Sequence, residues 1–305
     1  MNILTATDGS PTGNAAVAWA AERFGRAGNR IRILHVIGGG HHQDEVLDAA
    51  NAALTLMAAE LNVNEGVLET AALPHAPAWE VLAAEADSWK ADLLIVGCRG
   101  HAPLDWVRLG TTARRLVRTA ASPVLTVPPT PSSDPGHTAL HGLVCVDFSE
   151  ESSLAISAAV RLLSGARDGG SLTLLHVLEQ PNHSFESMGY GLLGVADDLL
   201  EHGKVEASRL IEGLAADARR GGLAVDAIVE VGSPTTTILN TAKRLGCDFI
   251  ATGTRGKNLA HRMFIGSVAT HLLKSHELPI LTTRDVSQEQ PVALSAHPAP
   301  TGSST

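Results

Sequence analysis

Cysteine is scarce in this chain, and its scarcity limits the chemistry that the protein can carry. The 305 residues include three cysteines, Cys98, Cys145 and Cys247, and none of them belongs to a Cys-x-x-Cys pair. Neither a disulfide framework nor a thiolate zinc site is therefore supported. A reducing compartment fits this composition best.

Excess positive charge and long apolar runs are also lacking. The chain has 23 Lys and Arg against 32 Asp and Glu, a formal net charge of −9, which disfavours a nucleic-acid partner because phosphate backbones need a basic face. The longest apolar stretch near the start, Ala15 to Ala21, is far shorter than the roughly 20 residues that cross a bilayer. The chain begins directly with a strand pattern and without the regions of a signal peptide. We therefore expect a cytoplasmic protein with no membrane partner.

Two well-known motifs are missing, and one apparent motif is misplaced. The sequence has no Gly-x-x-x-x-Gly-Lys-Ser/Thr loop and no Gly-x-Ser-x-Gly elbow, so a P-loop NTPase and a serine hydrolase lack their key residues. The run from Gly189 to Gly194 matches Gly-x-Gly-x-x-Gly. It follows polar residues rather than a strand, which favours a loop leading into a helix. His41, His42, His137 and His141 lack an acidic or third ligand, so we expect no metal site.

What the sequence does contain is an internal duplication. Landmark residues recur in the same order in each half of the chain. The pairs are Asp8 and Asp147, His35-Val36 and His176-Val177, Pro77 and Pro234, Gly97 and Gly253, and Gly110 and Gly266. Their offsets are 139, 141, 157, 156 and 156 residues, which indicates an insertion of about 16 residues after the second strand of the second half.

Each half alternates apolar runs of strand length with helical patterns, which is typical of βαβ units around a parallel sheet. The predicted strands of the first half are Asn2 to Thr7, Ile31 to Ile37, Val67 to Leu73, Leu93 to Gly97 and Val124 to Val127. Those of the second half are Leu143 to Val146, Leu172 to Leu178, Val225 to Val231, Phe249 to Gly253 and Ile280 to Thr283. Ser10 before Pro11, and Ser149 before Glu150 and Glu151, indicate capped helices after each first strand.

These patterns predict an α/β fold with two tandem, open, parallel five-stranded sheets, each of strand order 3-2-1-4-5 with helices on both faces. We expect a first domain at residues 1–128 and a second at 141–285, with its insertion at about 180–195. The Pro- and Ser-rich run between them predicts an extended linker at 129–140. The tail at 286–305 is polar and proline-bearing, and we expect it to be disordered.

A glycine motif with the same spacing in both halves carries the chemistry. Gly97-Cys98-Arg99-Gly100 is followed by nine residues and then by Gly110-Thr111-Thr112. Gly253-Thr254-Arg255-Gly256 is likewise followed by nine residues and then by Gly266-Ser267. Glycines and serine caps are common in simple turns, but a duplicated pattern of identical spacing favours a binding site.

The predicted location of this motif points to phosphate. Both copies start at the carboxyl end of the fourth strand and finish at the start of the fourth helix. In open parallel sheets, ligands bind outside the carboxyl ends of strands where the strand order reverses, here between strands one and four. Glycines allow backbone amides to approach phosphate oxygens, and the helix start at Thr111 or Ser267 adds unpaired amides.

With these features the chain resembles the universal stress protein family, and the resemblance covers nearly all of it apart from linker and tail. The Gly-x2-Gly-x9-Gly-Ser/Thr pattern is typical of the ATP-binding branch of that family. The resemblance implies that Asp8 and Asp147 lie at the nucleoside and that the backbones of Val36 and Val177 recognise adenine. It also implies dimerisation through the fifth strand, which a tandem chain can satisfy internally as a pseudo-dimer, with a homodimer as a further option.

The resulting expectation is an ATP-binding stress-response regulator, with Mg²⁺ on the phosphates as an option and Asp8 and Asp147 as its candidate protein ligands. A slow ATPase or adenylate-transferring enzyme, and a nucleotide-free dimerisation module, are the alternatives. The first half has His75 at the position where the second half has Gly232, just before the third helix. This difference predicts that the two sites bind ATP with unequal affinities. The candidate nucleotide-binding residues are Asp8, Val36, Gly97, Arg99, Gly100, Gly110, Thr111 and Thr112, with Asp147, Val177, Gly253, Arg255, Gly256, Gly266, Ser267 and Val268.

Overall fold

The computed structural model of the chain describes residues 1–26, 28–38, 43–61, 63, 67–74, 77–100, 109–130, 139–179, 193–255 and 265–285. The first half contains β1 (Asn2–Ala6), α1 (Pro11–Phe24), β2 (Arg30–Ile37), α2 (Gln43–Glu60), β3 (Leu68–Pro74), α3 (Ala78–Ser88), β4 (Leu93–Gly97), α4 (Thr111–Thr119) and β5 (Val124–Val127). The second half contains β6 (Leu140–Cys145), α5 (Glu150–Gly165), β7 (Gly170–Leu178), α6 (Leu193–Arg219), β8 (Ala224–Val231), α7 (Pro234–Arg244), β9 (Phe249–Gly253), α8 (Ser267–Ser275) and β10 (Ile280–Thr283).

All ten strands form one sheet in the order β3-β2-β1-β4-β5-β10-β9-β6-β7-β8. Within each half the neighbouring strands are parallel, so the predicted α/β class and the 3-2-1-4-5 order are confirmed. The two halves join where β5 pairs antiparallel with β10, with Leu125 opposite Leu281. The two predicted sheets are therefore halves of one continuous sheet, because each fifth strand satisfies the other's open edge.

Alternate residues of each strand face two different helix layers. Ile3 of β1 belongs to a core cluster that includes Phe24 of α1 and Leu163 of α5, whereas Leu4 belongs to a cluster that includes Leu116 of α4 and Leu272 of α8. All six of these side chains are fully enclosed. Burial of each stabilises the fold by roughly 1.5–3 kcal/mol relative to an exposed side chain, so the sheet is anchored on both faces.

The helices that follow β1 and β6 begin as the sequence predicts. The Ser10 hydroxyl accepts a hydrogen bond from the Gly13 amide at 3.1 Å, with Pro11 in the first turn of α1. The Ser149 hydroxyl accepts from the Ser152 amide at 3.2 Å at the start of α5. These caps fix the chain between each first strand and its helix, which is where the candidate sites lie.

The start of the second half differs from the predicted strand bounds. Strand β6 begins at Leu140, inside the predicted linker, and includes Gly142. A Cβ added at Gly142 would lie 2.4 Å from Cζ of Phe249. Glycine occupies this strand position because the ring of Phe249 packs directly on its backbone. Since glycine usually favours turns, the sequence did not predict that the strand includes this residue.

Several predicted segments lie outside the described residues. They are 131–138 of the linker, 180–192 of the insertion with the start of the Gly189 to Gly194 run, and the tail at 286–305. Among the helices that the structure describes, none combines the length and apolar character needed to cross a bilayer.

Candidate functional site

Each half has one cavity at the carboxyl ends of its strands. Site one lies beyond β1 and β4, and site two lies beyond β6 and β9, the positions where the strand order reverses. Because β5 and β10 are antiparallel while each is parallel to the other strands of its own half, the two sites open at opposite ends of the sheet.

Site one is a cavity of about 260 Å³. It brings together all the candidate residues of the first half, and also Ala78 and Leu82 of α3. The predicted residues that line it are Asp8, Val36, Gly97, Arg99, Gly100, Gly110, Thr111 and Thr112.

Site two is a cavity of about 350 Å³. Its lining adds Glu179, Pro234 and Ile238 to the predicted residues. Those predicted residues are Asp147, Val177, Gly253, Arg255, Gly266, Ser267 and Val268. Gly256 lies outside the described residues.

The first glycine of each motif is required for close packing. A Cβ on Gly97 would lie 2.6 Å from the backbone carbon of Thr12, and a Cβ on Gly253 would lie 2.7 Å from Cβ of Glu151. Only glycine lets the end of the fourth strand approach the first turn of α1 or α5 this closely. This approach brings the glycine loop beside the first strand.

The later glycines, Gly110 and Gly266, cap helices, and their amides donate hydrogen bonds within the protein. Gly110 donates its amide to the Cys98 carbonyl at 2.8 Å, and Gly266 donates to Thr254 at 2.7 Å. A Cβ on Gly110 would lie 3.2 Å from Cα of Arg99, so this glycine keeps the loop folded against the helix start.

The amides positioned for an anion are those of the first helical residues. In α4 the first intrahelical bond runs from Arg114 to Gly110 at 2.9 Å, and in α8 it runs from Thr270 to Gly266 at 2.9 Å. The preceding amides therefore have no partner within their helix. Together with the positive end of the helix dipole they form an anion-binding element. These amides belong to Thr111, Thr112 and Ala113 in site one and to Ser267, Val268 and Ala269 in site two.

The two aspartates occupy equivalent turns. Asp8 accepts a hydrogen bond from the Ser10 amide and Asp147 accepts one from the Ser149 amide, each at 3.0 Å. A Cβ on Gly100 would lie 2.5 Å from Oδ2 of Asp8, so the carboxylate reaches the glycine loop. Among the described residues no three acidic, histidine or cysteine side chains gather as metal ligands. An ion here would depend on phosphate oxygens and water, as Mg²⁺ commonly does.

Cys98, Cys145 and His176 of β7 have structural roles. Burial raises the pKa of Cys98 to about 11, and burial and then the charge of Asp147 raise the pKa of Cys145 to about 12. Both remain protonated near neutral pH and lack the nucleophilic thiolate form. Nδ1 of His176 lies 2.6 Å from the Val146 carbonyl oxygen, and this histidine holds β7 against the end of β6.

The two sites differ at one position that sequence reasoning missed. In site two, Oε2 of Glu151 accepts hydrogen bonds from the Arg255 amide at 2.5 Å and the Thr254 hydroxyl at 3.1 Å, while Oε1 accepts from Arg255 Nε at 2.6 Å. In site one, the equivalent residue is Thr12, whose hydroxyl donates to the Arg99 carbonyl. Direct comparison of the duplicated segments would have shown this difference. Glu151 instead fits the usual pattern of an acidic residue in the first turn of a helix.

His75, which is expected to distinguish the two sites, lies outside the described residues. So do residues 101–108 and 256–264 of the two glycine loops. In the second half, Gly232 has a φ of 158°, and a Cβ there would lie 2.6 Å from the Thr237 hydroxyl oxygen. This glycine therefore makes the tight turn into α7.

Comparison with known proteins identifies similar chains of the same tandem length. The sequence model described as the universal stress protein family matches residues 1–128 and 141–284. A universal stress protein of Mycolicibacterium smegmatis is 27% identical over 297 residues, covering 92% of this chain and 96% of the relative. A universal stress protein of Synechocystis is 21% identical over 313 residues, covering 93% and 99% respectively. The crystal structure of a universal stress protein from Archaeoglobus fulgidus has a TM-score of 0.62 at 19% identity, over 93% of this chain and 98% of that chain.

Proposed function

Because the chain belongs to the universal stress protein family, we propose that it is an adenine-nucleotide-binding regulator, with ATP as its principal ligand and one nucleotide site in each half. The observation that carries the proposal is the recurrence of the same anion-binding element at the switch point of both halves. Each cavity ends at a helix start whose amides are open, beside a glycine-containing loop. This is the arrangement that suits a phosphate group.

Site one has features suited to both ends of a nucleotide. The amides and hydroxyls of Thr111 and Thr112 are placed for the phosphates, and Arg99 adds positive charge at the loop. The lining of the same cavity includes the apolar side chains of Leu82 of α3 and Val36 of β2. An apolar surface with a few polar groups suits a purine base, whose flat faces are apolar and whose edge forms hydrogen bonds. Asp8 also lines the cavity, and the proposal places the ribose hydroxyls of a bound nucleotide beside it.

A regulatory role is favoured over rapid catalysis. Fast phosphoryl transfer requires an organised metal, a positioned water and a cation that stabilises transition-state charge. The P-loop lysine is absent from the sequence, and Arg255 is already engaged by Glu151. Asp8 and Asp147 follow the first strand of each half, β1 and β6, where the proposal places the nucleoside. Nucleotide occupancy would then act by changing the surface or the association of the protein.

The proposal places the protein in the cytoplasm, as an internal pseudo-dimer joined through β5 and β10. Cys98, Cys145 and Cys247 are all free thiols, which suits a reducing compartment. The internal pairing supplies the fifth-strand contact, so the proposal does not require a homodimer.

Mass spectrometry of ligands released from denatured purified protein, followed by calorimetric titration of the stripped protein, tests the proposal. We expect an adenine nucleotide among the released ligands. Titrations with ATP, ADP and AMP should together account for two adenine-ligand sites per chain, in two affinity classes. Absence of detectable binding of all three ligands to the folded, stripped chain would refute the proposed function.

A further inference from the structure

The phosphate loop of site two already holds a carboxylate. Glu151 is almost fully buried, with 8% of its side chain exposed, and Arg255 is 18% exposed. Glu151 accepts from one backbone amide, one guanidinium nitrogen and one hydroxyl of the loop formed by Gly253 to Arg255. These are donors of the kind that phosphate oxygens use. The protein thus places its own anion where a ligand's outer phosphates would otherwise meet these donors.

The geometry makes this carboxylate difficult to displace. Gly253 packs against Cβ of Glu151, and the Thr283 hydroxyl donates to the Glu151 carbonyl at 3.3 Å, so the residue is fixed from both sides. The Arg255 guanidinium also donates to the Asp285 carbonyl at 3.1 Å. The positive charge of Arg255 is therefore compensated within the protein, chiefly by Glu151. Withdrawing Glu151 would leave a largely buried guanidinium without its counter-ion, which is strongly unfavourable.

Site one has fewer negative and more positive charges near its loop than site two has. Its residue equivalent to Glu151 is Thr12, which carries no charge and donates to the loop carbonyl. Helix α4 carries Arg114, Arg115 and Arg118, whereas the equivalent residues of α8 are Thr270, His271 and Lys274.

Site two has a further carboxylate at Glu179, where the equivalent residue of the first half is Gly38. A multiply charged anion such as a triphosphate is therefore less favoured in site two than in site one.

We propose that the two sites take ligands of different charge: site one takes the triphosphate, and site two takes an adenine nucleoside or nucleoside monophosphate. This inference rests on the proposed adenine-nucleotide function and adds the ligand class of each site. Glu151 is the specificity-determining residue, because it fills the donors that the outer phosphates require while leaving the Ser267 to Ala269 amides for a single phosphate.

Calorimetry on the full, stripped chain with adenosine, AMP and ATP tests the inference without any variant. The wild type should bind ATP tightly at one site per chain. AMP should fill a second site even when ATP is saturating. Two equivalent ATP sites in the wild type would overturn the inference while leaving the proposed function intact, whereas no binding of any adenine ligand would overturn both.

Exchanging the residues at positions 12 and 151 tests whether they determine the ATP affinity of each site. Glu151→Thr should raise ATP affinity at site two by at least about tenfold, the scale expected when one close like charge is removed, with little change for adenosine. Thr12→Glu should lower ATP affinity at site one by a similar factor and again spare adenosine. Glu151→Gln keeps the size of the side chain and serves if the threonine variant does not fold.

Glu150→Gln is the matched control. Glu150 is the exposed neighbour in the same first turn of α5, so this change removes the same charge outside the loop. It should leave the selectivity for ATP or AMP unchanged. If Glu151→Thr and Glu151→Gln alter ATP binding no more than Glu150→Gln does, the carboxylate in the loop does not select the ligand and the inference is wrong.

Discussion

The charge of Arg99 acts on His276 across the junction of the two halves. Arg99 belongs to the glycine loop of site one, whereas His276 follows the last residue of α8 in the second half. Burial lowers the pKa of His276, and the positive charge of Arg99 lowers it further. The antiparallel pairing of β5 with β10 brings the end of α8 to this position. The charge of a residue in the first half thereby lowers the pKa of a residue in the second.

This relationship predicts a pH dependence of stability. A lowered pKa means that the folded protein keeps His276 neutral while the unfolded chain takes up a proton near the ordinary value. The contribution of this histidine to stability is therefore present above about pH 6.5 and is lost as the pH falls through that value. Thermal melts at pH 7.5 and pH 5.5 should show a smaller decrease in melting temperature for His276→Gln than for the wild type. His271→Gln, on the exposed side of α8, should behave as the wild type does.

The glycine that caps each fourth helix should be essential for nucleotide binding. The double variant Gly110→Val with Gly266→Val forces a Cβ against the Arg99 backbone in site one and disturbs the equivalent turn in site two. Overpacking of this kind costs about 1–3 kcal/mol, and ATP affinity should therefore fall by up to about a hundredfold.

Calorimetry measures the affinity, and circular dichroism should show the helical content nearly unchanged. The control is Gly203→Val, since a Cβ at Gly203 of α6 meets no atom within 4 Å. Full affinity in the double variant would mean that the glycines serve only the turn.

ATP hydrolysis should be slow or absent. The sites provide amides, hydroxyls and a glycine loop, and the arginine of site two is held by Glu151. We expect turnover far below the roughly 1–100 s⁻¹ of kinases. A steady-state phosphate-release assay, with the double glycine variant as the contamination control, measures it. Turnover on a timescale of seconds that disappears in that variant would establish the alternative, an enzyme.

The contact between Gly142 and Phe249 should contribute to stability independently of any ligand. Gly142→Ala places a Cβ 2.4 Å from the position of Phe249 Cζ, and we expect a loss of about 1–3 kcal/mol from overpacking. Differential scanning calorimetry measures this as a lower melting temperature. Phe249→Leu in the same chain removes the ring atom concerned, so the double variant should be more stable than the sum of the two single losses predicts.

The sequence predicted the position of the sites because local patterns determine them. Glycine spacing, a capping serine and an apolar strand together specify a loop between a strand end and a helix start, as Gly97 and Ser10 illustrate. The same features duplicated in the second half made the tandem organisation clear. The predicted fold and strand order depended on these short-range signals and were confirmed.

Features that depend on tertiary approach were not predictable in this way. An acidic residue in the first turn of a helix normally interacts with the helix dipole, so nothing local marks Glu151 as the partner of Arg255, 104 residues later. The hydrogen bonds that Gly110 and Gly266 donate within the loop also depend on how the loop folds, which local sequence does not show. Likewise, no local pattern indicates that His276 approaches Arg99.

The internal β5 and β10 pairing has a consequence for how such a protein diversifies. Two identical chains that pair through their fifth strands must carry the same residue at both sites, so any substitution acts twice. Within one polypeptide the copies change separately, as the threonine at 12 and the glutamate at 151 demonstrate. The shared sheet keeps the two copies together, while the residues of each candidate site can change independently.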